Sequence, residues 1–316
     1  MTNVDALDVG RLRLLREIGV RGSIAGAARA LGLTPSAVSQ QLAVLERDCG
    51  ASLVDRSPRG VVLTGAGRQL AARADQVLDI LAAARADLDR ATGTLGGPVR
   101  VGAVASAALT FVSDAATALA QAHAGIELAV TVAEPSAALD LLLAGDAELA
   151  VVDEYDYVPL ALPDNVVASD LHSEPLVVVT PTGWDGPRKP RLSELADVDW
   201  VMPPEDAACG QAVRSACRAA GFEPRVRWVS DDMLVLARAV GAGHGLTVLP
   251  RLSVAEDAAA IEIRPVREPV LTRQLRVVSR ASTLGRPAVA AVGDALAAAA
   301  RARYGRPDRS KVRGAR

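Results

Sequence analysis

Apolar residues in the first fifty positions recur at intervals of three and four, which is the spacing of one face of an α-helix. Three such groups follow one another: Leu12, Leu15 and Ile18; Ile24, Ala27, Ala28 and Leu31; and Val38, Leu42 and Leu45. Because each group spans only two or three turns, the pattern predicts three short helices. The small alanines of the second group let that helix cross the third one closely.

Polar and small residues mark the ends of these predicted helices. Ser23 is placed to cap the second helix and Thr34 the third, with Pro35 in the first helical position, where a missing N–H costs nothing. Gly32 supplies the left-handed end of the second helix. Two short helices joined by one tight turn are typical of a helix-turn-helix.

The start of the third helix displays hydroxyls and one amide on its outer face. Such groups can contact base edges or phosphates in the major groove. Downstream, two arginines stand beside a β-prone run at 61–63, which predicts a hairpin wing that follows the DNA backbone. The residues predicted to contact DNA are Ser23, Thr34, Pro35, Ser36, Ser39, Gln40, Arg56, Arg59 and Thr64. The alternative is a three-helix packing unit with no role in DNA binding.

A long helix is predicted after the wing, over residues 64–90. Its apolar positions alternate steps of four and three along Leu70, Ala74, Val77, Leu81, Ala84 and Leu88. A heptad seam of this length favours a coiled coil that pairs two chains. The alternative is a long helix packed on its own domain. The glycine-rich segment 93–98 then predicts a linker.

The apolar pattern changes to that of strands after this linker. Strands are predicted at 99–104, 126–132, 147–152, 176–180, 200–202, 226–229, 246–249, 261–265 and 275–279, with helices at 108–122, 136–144, 209–220, 231–241 and from 287. Strands that alternate with helices indicate parallel βαβ units. We expect two α/β lobes, with the chain crossing between them near Ala168 and Arg267.

The sequence resembles the LysR-type transcriptional regulators over almost its whole length. The first part of the resemblance is GSIAGAARALGLTPSAVSQQLAVLE (22–46), followed by ASLVDR (51–56), SPRGVVLT (57–64) and GAG (65–67), in order and at the family's spacing. VGAGHGLTVLP (240–250) matches a later segment, whereas Val54 stands where the family most often has Phe. The resemblance implies an N-terminal all-α winged helix-turn-helix, a long linker helix, and a two-lobed α/β domain built like a periplasmic binding protein.

For function, the resemblance implies a regulator that binds an inverted-repeat operator in double-stranded DNA as a homodimer or homotetramer. A small-molecule effector, with no other cofactor, would modulate that binding from between the two lobes. RNA polymerase is a further candidate partner. The expected domains are a DNA-binding head at 1–63, a dimerisation helix at 64–92, an effector-binding domain at 93–303 (lobes 98–168 with 268–303, and 169–267), and a disordered basic tail at 304–316.

Ligands of open α/β lobes bind at the carboxyl ends of the strands. The residues predicted on this basis to contact the effector are Ala105, Ser106, Glu134, Ser136, Asp153, Glu154, Pro204 and Glu205. Ser106 and Ser136 precede predicted helices, so helix capping is an equally good interpretation of both. Since these segments carry acids and no Lys or Arg, we hypothesise an effector with a cationic part; solvated loop acids are the alternative.

Charge is unevenly distributed along the chain, although the net charge is only −2. Residues 1–92 carry a net charge of +2, residues 301–316 carry +6, and residues 93–300 carry −10. The two ends therefore attract DNA and the middle repels it. Three cysteines, with no signal-like start and no long apolar run, favour a reducing, cytoplasmic location away from membranes.

Two rival functions stay open at this point. A two-lobed cleft can host catalysis, but no nucleophile–base set, phosphate loop or metal-ligand cluster is recognisable, so we expect no enzyme and no metal site. Cys209 and Cys217 lie near where peroxide-sensing members of the family carry a redox pair, at a spacing one residue shorter. A redox-responsive regulator is therefore the second alternative.

Overall fold

The computed structural model describes residues 7–57, 60–92, 95–254 and 260–305. The chain divides between Thr92 and Leu95 into two compact units, with the short segment Ser282–Pro287 grouped with the first. No helix in these ranges is long and apolar enough to cross a membrane.

The first unit begins with three helices and a two-stranded hairpin. These are α1 (Val9–Arg21), α2 (Ile24–Leu31), α3 (Pro35–Cys49), β1 (Val54–Ser57) and β2 (Gly60–Leu63). The predicted caps are confirmed: the Ser23 hydroxyl accepts from Gly26 N, and the Thr34 hydroxyl accepts from Ala37 N. Gly32 ends α2 with φ +65°, a backbone conformation that only glycine adopts without strain.

A carboxylate fixes the hairpin to the third helix. Glu46, on α3, accepts a hydrogen bond of 2.8 Å from the backbone N–H of Leu53, just before β1. The predicted apolar faces meet in one core that includes Leu15, Ala28 and Leu42. The winged helix-turn-helix prediction is therefore correct in its helices, its turn and its hairpin.

Helix α4 (Gly65–Ala91) follows the hairpin directly. Its first half packs on the three-helix core, where Ala74 is buried and Leu70 is half-buried. The ion pair of Arg16 on α1 with Asp75, at 2.6 Å, fastens this half further. In the second half of the predicted seam, Leu81 and Leu88 are exposed.

The second unit contains two lobes. The first lobe has parallel strands β3 (Gly97–Ala103), β4 (Ile126–Val132) and β5 (Leu149–Tyr155). Its helices are α5 (Ala105–Ala107), a π-helix (Ala108–Val112), α6 (Ser113–Ala122), α7 (Pro135–Ala144) and α10 (Pro287–Tyr304). The helix after β3 thus starts at Ala105, three residues earlier than the sequence predicted.

Two long strands, β6 (Val166–Pro181) and β11 (Thr272–Arg280), connect the lobes. Residues 166–175 of β6 pair with β11 in the sheet of the first lobe. Residues 176–181 of β6 pair with β9 (Thr247–Pro250) and β10 (Ile261–Pro265) in the second lobe. The first crossing therefore lies at Pro175, later than the predicted Ala168. The sequence could not show this position, because β6 runs through it without a turn.

The second lobe is completed by two parallel strands and two helices. These are β7 (Asp199–Met202), α8 (Ala208–Ala219), β8 (Arg225–Val229) and α9 (Met233–Gly241), with 3-10 turns at Leu192–Leu195 and Arg251–Ser253. The fully buried Trp200 is the largest side chain of its core, and its indole N–H donates to the carbonyl of Leu195. The predicted two-lobed α/β architecture is confirmed.

Candidate functional site

The N-terminal end of α3 forms an exposed polar surface on the head. Thr34, Pro35, Ser36 and Gln40 are exposed, and Ser39 is half-buried. The buried face of the same helix carries Val38, Leu42 and Leu45, so the helical period turns the polar residues outward. This surface presents hydroxyls, an amide and a helix N-terminus together, which suits contacts with base edges and phosphates.

The other predicted DNA contacts differ in how free their polar atoms are. Thr64 is occupied: its hydroxyl donates to the carbonyl of Ser52 at 2.8 Å and accepts from Gly67 N at 3.0 Å, so it caps α4. The Ser23 oxygen accepts from Gly26 N, and among the described residues its own proton has no acceptor. Arg59 lies outside the described residues, and for Arg56 the structure describes only the backbone, in β1.

Arg29 is a further candidate DNA contact, which was not among the residues predicted from the sequence. It lies exposed in the last turn of α2, opposite the buried Ala27 and Ala28. Among the described residues its guanidinium has no ion pair, which leaves it available to a phosphate. The sequence pattern could have identified Arg29, because it lies on the polar face of an amphipathic helix.

A cavity of about 260 Å³ lies between the two lobes of the second unit. Its lining includes the start of α5, the end of β5, the start of α8 and the start of α9. Four predicted residues line it: Ala105, Ser106, Glu134 and Asp153. Ser136 and Pro204 line an adjoining cavity of about 460 Å³, which shares Glu134 and Asp153 with the first.

Glu154 and Glu205 line neither cavity, so their placement was predicted wrongly. Strand β5 continues to Tyr155, and because strand side chains alternate, Glu154 points away from Asp153 and pairs with Arg276 at 3.1 Å. Glu205 is exposed, 3.6 Å from Arg214. The strand extends three residues beyond the end predicted from the sequence.

A buried arginine on β11 organises the floor of the first cavity. Arg273 is only 2% exposed, and it donates to Ser106 Oγ at 2.8 Å, to Asp153 Oδ2 at 3.1 Å and to Glu174 Oε1 at 2.8 Å. The predicted cleft segments carry no Lys or Arg, but Arg273, which lies outside those segments, also lines the cavity. Its burial could have been inferred from the alternation of side chains along a strand, since Arg273 lies on the same face as the buried Leu271 and Leu275.

The neighbours of Arg273 shape its electrostatics. The Tyr155 hydroxyl donates to Asp153 Oδ2 at 2.9 Å. Burial, and then the Asp153 charge, raise the pKa of Tyr155 well above its usual value, so the phenol stays neutral. Burial disfavours the charge on Arg273, but the carboxylates of Glu174 and Asp153 outweigh burial and raise the pKa of the guanidinium.

Neither cleft serine caps its helix. The N-cap residues of α5 and α7 are Val104 and Glu134, and neither makes a side-chain cap hydrogen bond. Ser106 instead accepts from Arg273, which settles its structural role as a partner of that guanidinium. The capping interpretation is therefore wrong for both serines.

The two cysteines of the second lobe are poorly suited to redox chemistry. Burial raises the pKa of Cys209 and of Cys217 to about 12, so both remain thiols. Both lie on α8, eight positions apart, so at about 1.5 Å rise per residue their Cα atoms are roughly 12 Å apart. A disulfide needs Cα atoms within about 7 Å.

Comparisons with known proteins agree with the two units. The family described as "Bacterial regulatory helix-turn-helix protein, lysR family" matches residues 9–68, and the family described as "LysR substrate binding domain" matches residues 92–301. The small neutral protease regulatory protein of Streptomyces coelicolor is 31% identical over 92% of both chains. A probable hydrogen peroxide-inducible genes activator of Mycobacterium avium is 27% identical over 79% of this chain and 80% of its own.

Solved structures share the fold at lower identity. A full-length OxyR variant from Pseudomonas aeruginosa superposes with a TM-score of 0.69 at 22% identity, over 93% of this chain and 95% of its own. Full-length CbnR in complex with its target DNA superposes with a TM-score of 0.54 at 19% identity, over 93% of this chain and all of its own.

Proposed function

The chain belongs to the LysR family of DNA-binding transcriptional regulators, and we propose that it reads an inverted-repeat operator as a dimer or a dimer of dimers. The domain division proposed with this function is a head at 1–63, a dimerisation helix at 64–92 and an effector-binding domain at 93–303. The observation that carries the proposal is the exposed polar start of α3, held in place by a buried apolar face.

Base reading is assigned to the start of α3. Ser36, Ser39 and Gln40 would reach base edges, with Thr34 and Pro35 at the helix N-terminus beside the phosphates. Ser23 and Arg29 border the same helix pair, and Arg56 lies on β1 of the hairpin. Arg59, outside the described residues, is proposed as a DNA contact from the sequence alone. Thr64 would act indirectly, because its hydroxyl is engaged in holding α4.

Pairing of two chains is assigned to the second half of α4. Leu81 and Leu88 lie seven residues apart on this helix and expose apolar surface. A partner helix would cover that surface and set two heads at a fixed spacing, which is what an inverted repeat requires. That CbnR was solved with its target DNA supports the same use of the fold here.

Control by a small molecule is assigned to the cavity between the lobes, where Ala105, Ser106, Glu134 and Asp153 would contact the effector. An effector changes DNA affinity only if it binds two conformations of the protein unequally. The crossing strands β6 and β11 are the elements about which the lobes could change their angle. The relatives named above are regulators, which favours this role over catalysis in the cleft.

A binding titration tests the proposal. Purified full-length protein is titrated with the intergenic DNA upstream of its own gene, against a scrambled competitor, at two salt concentrations. We expect a protected inverted repeat that survives the competitor. Equal, weak binding to both DNAs that moderate salt abolishes would contradict operator reading, because non-specific binding rests on phosphate charge alone.

A further inference from the structure

We propose that the effector is a small organic cation, with an ammonium group held by Glu134, Asp153 and Asp231 and an apolar body held by the rim of the cavity. This inference rests on the proposed function, because it assigns chemistry to the same cleft between the lobes.

The lining of the cavity has more negative than positive charge. Four carboxylates line it, on Glu134, Asp153, Asp231 and Asp232, against the single guanidinium of Arg273. That guanidinium is already engaged by Glu174, Asp153 and Ser106. An anionic ligand would therefore meet unbalanced negative charge, and it could reach Arg273 only by displacing a buried carboxylate.

Several carboxylate oxygens in the cavity accept no hydrogen bond within the described residues. Asp153 is 5% exposed and lines the cavity, and within the described residues its Oδ1 has no hydrogen-bond donor, while Oδ2 accepts from Tyr155 and Arg273. The carboxylates of Glu134 and Asp231 likewise have no donor there, whereas Asp232 is used to cap α9. An ammonium group offers three donors and no acceptor, so it can donate one hydrogen bond to a free oxygen on each of these three carboxylates.

The electrostatics of Glu134 agree with this geometry. Partial burial raises the pKa of its carboxyl, and the charges of Asp153, Asp231 and Asp206 raise it further. A cation bound among these carboxylates would replace repulsion with attraction.

The rim of the cavity indicates the rest of the ligand. Leu109 on the π-helix of the first lobe is 75% exposed, and Leu234 on α9 of the second lobe is 58% exposed; both line the cavity. An apolar group bound between them would cover both side chains and favour a closed arrangement of the lobes. A volume of about 260 Å³ limits the ligand to a few tens of atoms at most.

Isosteric probes test the charge preference. Calorimetric titration of the full-length protein would use 2-phenylethylamine, 3-phenylpropionate and 3-phenylpropanol, and the shorter pair butylamine and pentanoate. We expect at least one amine to bind, and to bind about tenfold or more tighter than its carboxylate and alcohol counterparts. The double variant Glu134→Gln with Asp231→Asn should lose that preference, whereas Asp140→Asn, on the outer part of α7, should retain it.

Three results would overturn the proposal: tighter binding of a carboxylate, no binding of either amine, or amine binding that the double variant leaves unchanged. The variant Ala105→Phe, which fills the cavity, tests separately whether the cleft is the binding site at all. If a carboxylate binds and Ala105→Phe blocks it, the cleft is the effector site and only the charge preference is wrong. If ligand binding persists in Ala105→Phe, the cleft is not the site, and the operator titration still tests DNA binding independently.

Discussion

Arg273 and Glu174 are register partners on the neighbouring strands β11 and β6, and their ion pair is almost wholly buried. The next pair along, Thr272 with Pro175, is the last of the first lobe, and Leu176 already pairs with the second. Glu174 also accepts a hydrogen bond of 2.8 Å from the backbone N–H of Leu252, in the 3-10 turn that follows β9. One carboxylate thus connects the crossing strands β6 and β11 to that turn.

Replacing Arg273 with Met should destabilise the effector-binding domain severely. The variant would leave Glu174 and Asp153 buried without their cation, and loss of one partner of a buried pair costs about 3–5 kcal/mol. Urea unfolding followed by tryptophan fluorescence measures this, since all three tryptophans of the chain, at 184, 200 and 228, lie in the second lobe.

The matched control for that variant is Arg276→Ala on the same strand. Arg276 pairs with Glu154 and Asp170 at 3.1 Å, but it is partly exposed, and pairs of this kind contribute about 1 kcal/mol or less. Equal losses of stability in the two variants would show that burial does not increase the contribution of the Arg273 ion pairs to the free energy of unfolding.

The same strand shows what the sequence could and could not predict. Apolar periodicity located β11 from Leu275 onward, because Val277 and Val278 follow it. It missed the first three residues, because a charged side chain at 273 looks like the end of a strand. Only the fold brings Glu174, Asp153 and Ser106, each distant in sequence, around that charge.

In contrast, the head could be predicted almost completely from sequence. The features that define its helices are local in sequence. Each helix is set by its cap, its glycine end and its stripe of apolar residues at helical spacing, all of which lie within the helix or next to it. What sequence could not give there is which polar atoms are already used, as the engaged hydroxyl of Thr64 shows. That depends on how the hairpin returns to α4.

Gln40→Ala should weaken operator binding and relax its specificity. A side-chain amide that contacts a base contributes about 1–3 kcal/mol of discrimination, so we expect roughly a tenfold or greater loss of affinity for the operator. The adjacent Gln41 is the control, because its amide oxygen already accepts from Arg11 at 3.1 Å. Equal losses in Gln40→Ala and Gln41→Ala, measured by competition titration, would argue against a reading role for Gln40.

Peroxide should leave Cys209 and Cys217 unlinked. Both thiols stay protonated near neutral pH, because burial raises the pKa of each to about 12, and α8 holds them too far apart for a bond. Mass spectrometry of the unreduced, peroxide-treated protein should detect no Cys209–Cys217 disulfide, and operator affinity should not change. A disulfide that forms in the folded protein and alters affinity would support the redox-responsive alternative instead.

Mild acid should destabilise the effector-binding domain partly through His172. Its ring packs on Tyr304 with centroids 4.6 Å apart, and burial lowers its pKa, with Arg273 acting in the same direction and Glu174 against it. The folded state therefore binds a proton less readily than the unfolded state, so the stabilisation is complete above the ordinary pKa of 6.5 and is lost as pH falls below it.

His172→Phe keeps the ring contact and removes this titration. Between about pH 7.5 and about pH 5.5, the melting temperature of the native protein should fall more than that of the variant. Parallel curves would show that His172 does not contribute to the loss of stability in acid.

Gly67 should be irreplaceable at the start of α4. A Cβ built there would lie 2.0 Å from the carbonyl oxygen of Leu53, well inside contact distance. That carbonyl cannot move aside, because it accepts from Thr64 N at 2.9 Å, and the N–H of Leu53 is held by Glu46 at 2.8 Å. Gly67→Ala must therefore push α4 away from the hairpin, at a cost of about 1–3 kcal/mol.

Gly65→Ala is the control two residues earlier, where a Cβ would meet nothing within 4 Å. Alanine suits a helix better than glycine by up to about 1 kcal/mol, so this variant should melt at or above the native temperature. Gly67→Ala should lower the melting temperature of the head, followed by circular dichroism, and weaken operator binding. If both variants behaved alike, the close approach of α4 to Leu53 would not set the position of the wing.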